Sequence, residues 1–461
     1  MKISRILIAN RGEVSIRIAR AAADLGIDSV AIYSADDAKS LHVLAAGESC
    51  ALQGRGASAY LDIEQIISLA KSSGCDAIHP GYGFLSESAL FARRCAEEDI
   101  IFIGPRPDIL DLFGNKAEAR SLAARCKVPL LPGTTGATSL KEARTFFKSL
   151  GPGAAVMIKA VMGGGGRGIR AVTHPDELGE AFARCQSEAA AAFGVADVYV
   201  EQLLKNARHI EVQVVGDGHN VIHLGERDCT LQRRNQKLIE VAPCPTLSAK
   251  LRDSITSAAI RLARETRYLS LGTFEFLVGD SGGKEAVFAF MEANPRLQVE
   301  HTVTEEVTGI DLVKQQLLIA LGEPLKFSEK DIHFRGHAIE CRINAEDPFD
   351  DFRPCPGRIE MYYPPGGRGV RIDTHAYAGY TIPPHYDSLI GKLITYGKDR
   401  REAMDKMNRA LSEYMITGIK TTIPFEQAIL QDPNFRRGVY ATNFIDNLLG
   451  GARRELIEEK A

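Results

Sequence analysis

The chain has 461 residues, 45% hydrophobic and 25% charged, with a formal net charge of −3. Such a length exceeds one simple core and predicts about three domains of a globular enzyme. The charge gives no sign of a nucleic-acid or membrane partner, and no stretch approaches the roughly 20 apolar residues of a membrane span. The apolar run in MKISRILIANRGE is too short for a signal peptide. Nine cysteines lack any CxxC pair. Several sit in apolar or helical contexts (Cys95, Cys126, Cys185), which predicts reduced, buried thiols in a cytoplasmic protein.

Residues 1–114 alternate strand and helix. Strand Ile6–Ala9, the turn Asn10–Glu13, helix Val14–Leu25 and strand Ser29–Tyr33 come first. Helix Asp62–Lys71, strand Ala77–Ile78, a helix near Ser88–Glu97 and strand Ile100–Ile103 follow. This βαβ pattern predicts a parallel sheet. The loop HPGYGFLSE (His79–Glu87) carries Tyr82, Phe84 and Glu87 beyond a strand end, where open α/β sheets bind ligands.

Helix Asn115–Cys126 is led by Lys116, and Pro129, Pro132 and Gly133 mark a linker. Ser139–Glu142 is a capping box for a helix to about Leu150. Strands Val156–Lys159 and Ile169–Val172 then flank Gly163, Gly164, Gly165, Gly166, Arg167 and Gly168. Glycines let backbone N–H groups approach a ligand, and with Lys159 and an arginine nearby they suit a polyphosphate. A flexible surface hairpin is the alternative. The loop is neither a Walker P-loop nor a GxGxxG turn. With helix Asp176–Ala192 and strand Val198–Glu201, residues 133–203 read as a small α+β module, a mobile lid over a nucleotide.

His209–Val215 and Val221–Leu224 read as a hairpin around Gly216-Asp217-Gly218. Arg227–Pro245 carries Arg233, Arg234 and Lys237 beside Gln232 and Gln236, a density usual for a solvated face. Helix Ser248–Thr266 follows. Thr273–Val278 and Val287–Glu292 read as a hairpin around Asp280–Gly283. On these apolar strands Glu275 and Glu292 suit a shared hard cation, since an unpaired buried carboxylate is costly. Two surface glutamates are the alternative. In ANPRLQVEH (Ala293–His301) an extended backbone puts Asn294, Arg296, Gln298 and Glu300 on one face and Leu297 and Val299 on the other. Arg296 then suits an anion and Glu300 a base.

After helix Asp311–Leu321, strands His337–Asn344, Arg358–Tyr363, Gly369–Thr374 and Lys392–Tyr396 predict an antiparallel meander. Helix Arg400–Leu411 turns Met404, Met407 and Leu411 inward. The tail Gly450–Ala461 reads as a frayed helix or the start of a linker.

IANRGE (Ile8–Glu13), HPGYGFLSE, GNK (Gly114–Lys116), the glycine hairpin, RHIEVQ (Arg208–Gln213), QRRNQK (Gln232–Lys237), NPRLQVEH and ECRINAEDP (Glu340–Pro348) together resemble biotin carboxylase, in unbroken order from about Ile6 to Leu449. The resemblance implies a three-part ATP-grasp architecture of α/β and α+β class. Residues 1–114 would be an α/β pre-ATP-grasp domain. Residues 115–330 would be the ATP-grasp domain, with a mobile glycine-rich lid at about 133–203. Residues 331–450 would be an antiparallel-sheet C-terminal domain, and 451–461 a tail.

The resemblance also implies roles. Lys116 and Lys159 correspond to lysines that hold ATP phosphates, under a loop formed by Gly163–Gly166 and Gly168. Glu201 and Leu204 sit where the family grips adenine through backbone groups, and His209 and Gln232 where it meets the nucleotide. Glu275, Glu292 and Asn294 correspond to the Mg²⁺ (or Mn²⁺) ligands. Lys237, Arg296, Gln298 and the Val299 amide match the bicarbonate cradle, Glu300 the general base and Arg342 the residue at the biotin ureido oxygen. In the implied reaction Glu300 deprotonates bicarbonate, which attacks ATP to give carboxyphosphate and ADP. Carboxyphosphate yields CO₂ and phosphate, and the phosphate deprotonates biotin.

The implied partners are a biotin carboxyl carrier protein or domain and a carboxyltransferase. Ala403–Met407 resembles the Met-Lys-Met attachment signature only superficially. A homodimer is the family expectation, and the segment Pro295–Val313 leans toward an acyl-CoA carboxylase by resemblance. The family often has histidine where Asn235 stands, and one more glycine where Met162 stands. Two other readings remain open: another ATP-grasp ligase forming an acyl phosphate, against which ECRINAEDP argues, and a nucleotide-binding, non-catalytic subunit, which Asn235 alone motivates.

Overall fold

Short apolar strands between amphipathic helices build the first domain. The computed structural model describes residues 3–162, 168–279 and 286–450. Arg5–Ile8 (β1), Asp28–Tyr33 (β2), Glu48–Ala51 (β3), Ala77–His79 (β4) and Ile101–Phe102 (β5) form the expected parallel sheet, in the order β3-β2-β1-β4-β5. Helices cover both faces, as parallel strands require. Helix Gly12–Asp24 packs Val14, Ile18 and Ala22 with Ile6 and Ile8. Helices Ile63–Ser72 and Ala89–Glu97 pack Ile66, Ile67 and Phe91 with Leu7 and Ile78. The first of these faces also buries Val215, Ile222, Leu271 and Leu297, so the first and central domains share one core.

The small module has its own core. Val156–Ala160 (β6), Ile169–Val172 (β7) and Val198–Gln202 (β8) pair antiparallel in the order β7-β6-β8. Helices Leu140–Ser149 and Leu178–Phe193 flank it, with Phe147, Ile158, Phe182 and Val200 buried between. Ser139 and Glu142 form the expected capping box. Gly168 has a φ of 65°, and a Cβ there would sit 3.1 Å from the Ala160 Cβ, so the hairpin needs glycine at this end. Gly163, Gly164, Gly165, Gly166 and Arg167 lie outside the described residues.

The rest of the chain centres on one long antiparallel sheet. Its strands are Arg208–Asp217 (β9), Val221–Arg233 (β10), Gln236–Ala242 (β11), Leu269–Gly279 (β12), Val287–Asn294 (β13) and His337–Asn344 (β14). Glu346–Asp347 (β15), Arg353–Pro354 (β16) and Tyr362–Tyr363 (β17) are short and stand apart, and Val370–Thr374 (β18) and Leu389–Gly397 (β19) rejoin the sheet. The order is β13-β12-β9-β10-β11-β14-β19-β18. Residues 280–285, between β12 and β13, lie outside the described residues, as do residues 451–461.

Three expectations change. The basic-amide segment is no solvated face: Arg227 to Arg233 is the second half of β10, and Arg227 is fully buried. Only the turn residues Arg234 and Asn235 and the first residue of β11 are exposed. Arg234 and Asn235 have φ of 49° and 66°, the two positive values of a primed hairpin turn, which asparagine tolerates well. The last strands are no separate meander. β14, β19 and β18 continue the central sheet, because the β11 edge would otherwise leave its N–H and C=O groups unpaired. Within Arg358–Tyr363 only Tyr362–Tyr363 is strand, and it pairs instead with Met415–Ile416 (β20). Met404, Met407 and Leu411 are buried against Ile339 and Cys341, as their spacing predicts. The nine cysteines are all unpaired thiols. Among the described residues no helix is long and apolar enough to cross a membrane.

Phe276 on β12 is fully buried, edge-on to Phe288 at 5.8 Å and Phe290 at 6.0 Å. Phe276→Ala is expected to cost about 3–5 kcal/mol, read as a lower thermal midpoint. An unchanged midpoint would show that this packing is dispensable.

Candidate functional site

Period-two alternation gives the central sheet one apolar and one polar face. On β9, Ile210, Val212 and Val214 enter the core while His209, Glu211 and Gln213 line the other face. To that face β10 adds Arg227, β11 Lys237 and Glu240, β12 Thr273 and Glu275, and β14 Arg342. Nearly all of these groups are buried, so each charge needs a partner.

Lys237 is the hub. Its Nζ lies 2.5 Å from Glu300 Oε1, 2.6 Å from Glu211 Oε2, 3.3 Å from Glu275 Oε1 and 3.4 Å from Gln298 Oε1. Arg342 bridges two carboxylates: its Nε donates to Glu240 at 2.6 Å and its NH2 to Glu300 at 2.9 Å. Arg227 braces the floor, donating to Glu211, Gln213, Thr273 and Thr304. Arg296 donates from Nε to Glu87 at 2.8 Å and from NH2 to Asn294 Oδ1 at 3.0 Å. The HPGYGFLSE loop of the first domain thus reaches the site through Glu87.

The segment carrying Glu300 is not extended. β13 ends at Asn294, and Pro295–Glu300 is irregular chain and turn leading into helix His301–Thr308. Pro295 has no N–H to continue a ladder. The side chains still divide as alternation predicts: Leu297 is buried in the shared core, while Asn294, Gln298 and Glu300 join the network. Asn294 and Gln298 donate to Glu275 Oε1 at 2.7 and 3.2 Å. The Val299 carbonyl accepts from Lys392 at 2.9 Å.

The other candidates lie around this hub. His209 Nδ1 accepts from the Gln232 amide, which leaves the ring proton on Nε2, 2.8 Å from Glu275 Oε2. Glu275 and Glu292 are cross-strand partners. Glu292 Oε2 sits 2.8 Å from Lys116 Nζ. Lys159 pairs with Glu201, which Arg120 also holds at 2.9 Å. The Lys116 N–H donates to the Val161 carbonyl, and Met162 bridges to Asn115, so the module's hairpin is tied to the Lys116 helix. Leu204 packs on Gly279, a wall of a cavity of about 860 Å³ that Val278, Val439 and Phe444 also line.

Burial and charge set the protonation states. Burial would raise the Glu300 pKa, but Lys237, Arg342 and Arg227 outweigh it and hold Glu300 below the usual carboxylate range. Burial likewise opposes ionisation of Glu275 and Glu292, yet Lys237 and His209 pull the first down and Lys116 the second. Lys237 is raised well above the ordinary lysine value: burial opposes this, while Cys229, Glu211, Glu275 and Glu300 favour the charged form. Glu240 goes the other way, pushed up to about 7 by burial despite Arg342.

Glu211, Arg227, Glu240 and Lys392 belong to this network and were not singled out from sequence. Glu211 shares a strand face with His209 in RHIEVQ. Lys392 is a lone charge within an apolar strand, and that isolation was the available signal; Glu240 follows the apolar pair Leu238 and Ile239 on the strand that begins with Gln236 and Lys237. The metal-capable groupings among the described residues are His209–Glu211–Glu275 and Glu211–Cys229–Glu300. Of the expected ligands Glu275, Glu292 and Asn294, only Glu275 falls in either.

A three-part fold with a hairpin module beside buried lysines and carboxylates defines an ATP-grasp enzyme. Family models match in succession: biotin carboxylase N-terminal domain at 2–110, carbamoyl-phosphate synthase L chain ATP binding domain at 115–328, and biotin carboxylase C-terminal domain at 340–447. The chain is 51% identical over 451 residues to a Nostoc biotin carboxylase, covering 97% of this chain and 100% of that one. It is 48% identical to a pyruvate carboxylase subunit of Methanothermobacter thermautotrophicus, over 98% and 91% of the two chains. The biotin carboxylase domain of the Hydrogenobacter thermophilus 2-oxoglutarate carboxylase, crystallised as a dimer with MgADP, ADP and bicarbonate, superposes with a TM-score of 0.94. It is 45% identical, over 97% of this chain and 98% of that one. The chain belongs to the biotin carboxylase family, whose members are ATP-dependent carboxylating enzymes.

Because the folded pKa of Glu240 is raised, its protonated form is the one the fold favours. Its contribution to stability is complete below the ordinary glutamate value and lost as pH rises through about 7. The thermal midpoint is therefore expected to fall from pH 6 to pH 8, and to fall less in Glu240→Gln. Equal slopes in the two proteins would show that Glu240 is not the titrating group.

Proposed function

We propose that this chain catalyses the ATP- and bicarbonate-dependent carboxylation of biotin carried by a separate protein or domain, as the first half-reaction of an acyl-CoA carboxylase. The observation that carries the reading is the Lys237–Glu300–Arg342 network, a buried carboxylate held ionised between two cations. Bicarbonate entering beside Lys237, Arg296, Gln298 and the Val299 N–H draws on the same cations. Its negative charge weakens their hold on Glu300 and raises the affinity of Glu300 for a proton. Glu300 then takes the bicarbonate proton, and the oxygen so freed attacks the γ-phosphorus of ATP.

The nucleotide side is assigned on the same basis. Lys116 and Lys159 supply the positive charge a triphosphate needs, and Gly163–Gly166, outside the described residues, with Gly168 would correspond to the loop that closes on it. Glu201 and Leu204 would hold adenine through backbone groups, and His209 and Gln232 would meet the nucleotide; Leu204 lies against Gly279, which lines the cavity. Glu275 and Glu292 fit Mg²⁺ or Mn²⁺: they are paired, ionised oxygen donors on neighbouring strands, and Asn294 adjoins Glu275. The bound ion would neutralise phosphate charge during transfer. Arg342, already directed at Glu300, would stabilise the charge developing on the biotin ureido oxygen.

The division at 114/115 and 330/331 is supported by the bounds of the family matches. A carrier and a carboxyltransferase follow from the half-reaction. A homodimer is supported by the related domain's crystal form, and a cytoplasmic location by nine unpaired cysteines. The acyl-CoA acceptor rests on resemblance of the segment Pro295–Val313, beside relatives named for pyruvate and 2-oxoglutarate.

ADP release from Mg-ATP is expected to depend on bicarbonate and to rise with free biotin. Turnover indifferent to both would sink the reading. Glu300→Gln and Arg342→Ala should each lower biotin carboxylation, the first by about 10²–10⁴-fold as for loss of a general base. Normal turnover in either variant would remove that residue's role.

A further inference from the structure

The turn between Gln298 and Glu300 is irregular chain, so no ladder of hydrogen bonds fixes its peptide planes. A long backbone bond closes it, from the His301 N–H to the Gln298 carbonyl at 3.4 Å, and two fully buried side chains add shorter ones. His301 Nδ1 lies 2.7 Å from the Gln298 carbonyl oxygen. A carbonyl only accepts, so Nδ1 carries the proton and donates. Lys392 Nζ donates to the next carbonyl, that of Val299, at 2.9 Å. Successive carbonyls of one turn are thus held by two residues from different elements.

The planarity of the trans peptide turns these bonds into directions. The Gln298 carbonyl and the Val299 N–H belong to one plane and point opposite ways. With the carbonyl held by His301, the Val299 N–H must face away from the imidazole. The Val299 carbonyl shares its plane with the Glu300 N–H, so Lys392 fixes the peptide from which the Glu300 side chain departs.

Lys392 is itself held from two sides. It lies on β19 as the cross-strand partner of Arg342 on β14 and Asp373 on β18. Its Nζ is 3.1 Å from Glu13 Oε2 at the start of the first domain's helix Gly12–Asp24, and Tyr82 donates to the other Glu13 oxygen. One ammonium group therefore joins the first domain, the C-terminal strands and the turn that bears Glu300. Arg342 and Lys392, side by side on neighbouring strands, hold the Glu300 carboxylate and the preceding Val299 carbonyl respectively.

We propose that His301 and Lys392 are positioning residues for bicarbonate: by holding the Gln298 and Val299 carbonyls they aim the Val299 N–H and the Glu300 carboxylate into one cradle, with Glu13 aligning Lys392. The proposal rests on the bicarbonate role given above to Val299 and Glu300.

The test separates position from stability. Lys392→Met leaves Glu13 buried without its cation and should lower the thermal midpoint. Adding Glu13→Gln removes that charge and should restore it. The double variant is expected to keep its KM for ATP and to lose about tenfold to a hundredfold in kcat/KM for bicarbonate, as for a small misplacement at a reacting centre. His301→Leu should raise the KM for bicarbonate, and His301→Asn, which keeps a donor, should recover part of it. A folded double variant with wild-type kcat/KM for bicarbonate overturns the proposal. Identical behaviour of His301→Leu and His301→Asn does the same, and decides the matter if the double variant does not fold. A crystal structure of His301→Leu reads the pin without turnover: a rotated Gln298–Val299 peptide is expected, and an unmoved one overturns the proposal. Absence of bicarbonate-dependent turnover in the wild type would instead count against the proposed function.

Discussion

A lysine ammonium buried among three carboxylates organises this protein. Lys237 contacts Glu211, Glu275 and Glu300 at once. Removing one partner of a buried pair leaves an uncompensated charge and typically costs about 3–5 kcal/mol. The neighbouring charges are balanced in turn, Glu211 by Arg227 and Glu300 by Arg342, and Arg342 also donates to Glu240. The result is a connected set of charges across one sheet face, held in place because each is needed by the next.

That chain of compensation also ties the domains together. Arg296 reaches Glu87 in the first domain. Lys392 reaches Glu13 in the first domain and the Val299 carbonyl beside Glu300. The shared core of Ile6, Ile8, Val215 and Leu297 brings these groups into range through apolar burial. The polar network then selects the register in which every buried charge has a partner. The hairpin module differs: it has a separate core and is tied on by main-chain contacts around Asn115, Lys116 and Met162 and by the Arg120–Glu201 pair.

Much of this was legible in the residues. The period of 3.6 in Ile18, Ala22 and Leu25, within the helix read over Val14–Leu25, and the period of two in His209–Val215 placed helix and strand with little error. The capping box at Ser139 needed only local chemistry. Asn294, Arg296, Gln298 and Glu300 were identified as one functional set although the backbone carrying them is not extended. A polar-apolar alternation survives a change of backbone when Leu297 must enter the core. Arg227 to Arg233 misled because charge density is a weak guide to exposure once partners are supplied by distant strands.

By itself the sequence determined the elements, the order of three parts, and the residues that carry charge into an otherwise apolar sheet, because propensity, periodicity and turn chemistry act over a few residues. Only the tertiary structure decided which charges meet. Glu211 and Lys237 are 26 positions apart, Glu240 and Arg342 102, and Glu13 meets Lys392 across nearly the whole chain. The same holds for the sheet, whose last three strands come from the C-terminal part because β11 offered an unpaired edge. Partner choice of this kind depends on burial and on long-range pairing, and neither is encoded in any single stretch.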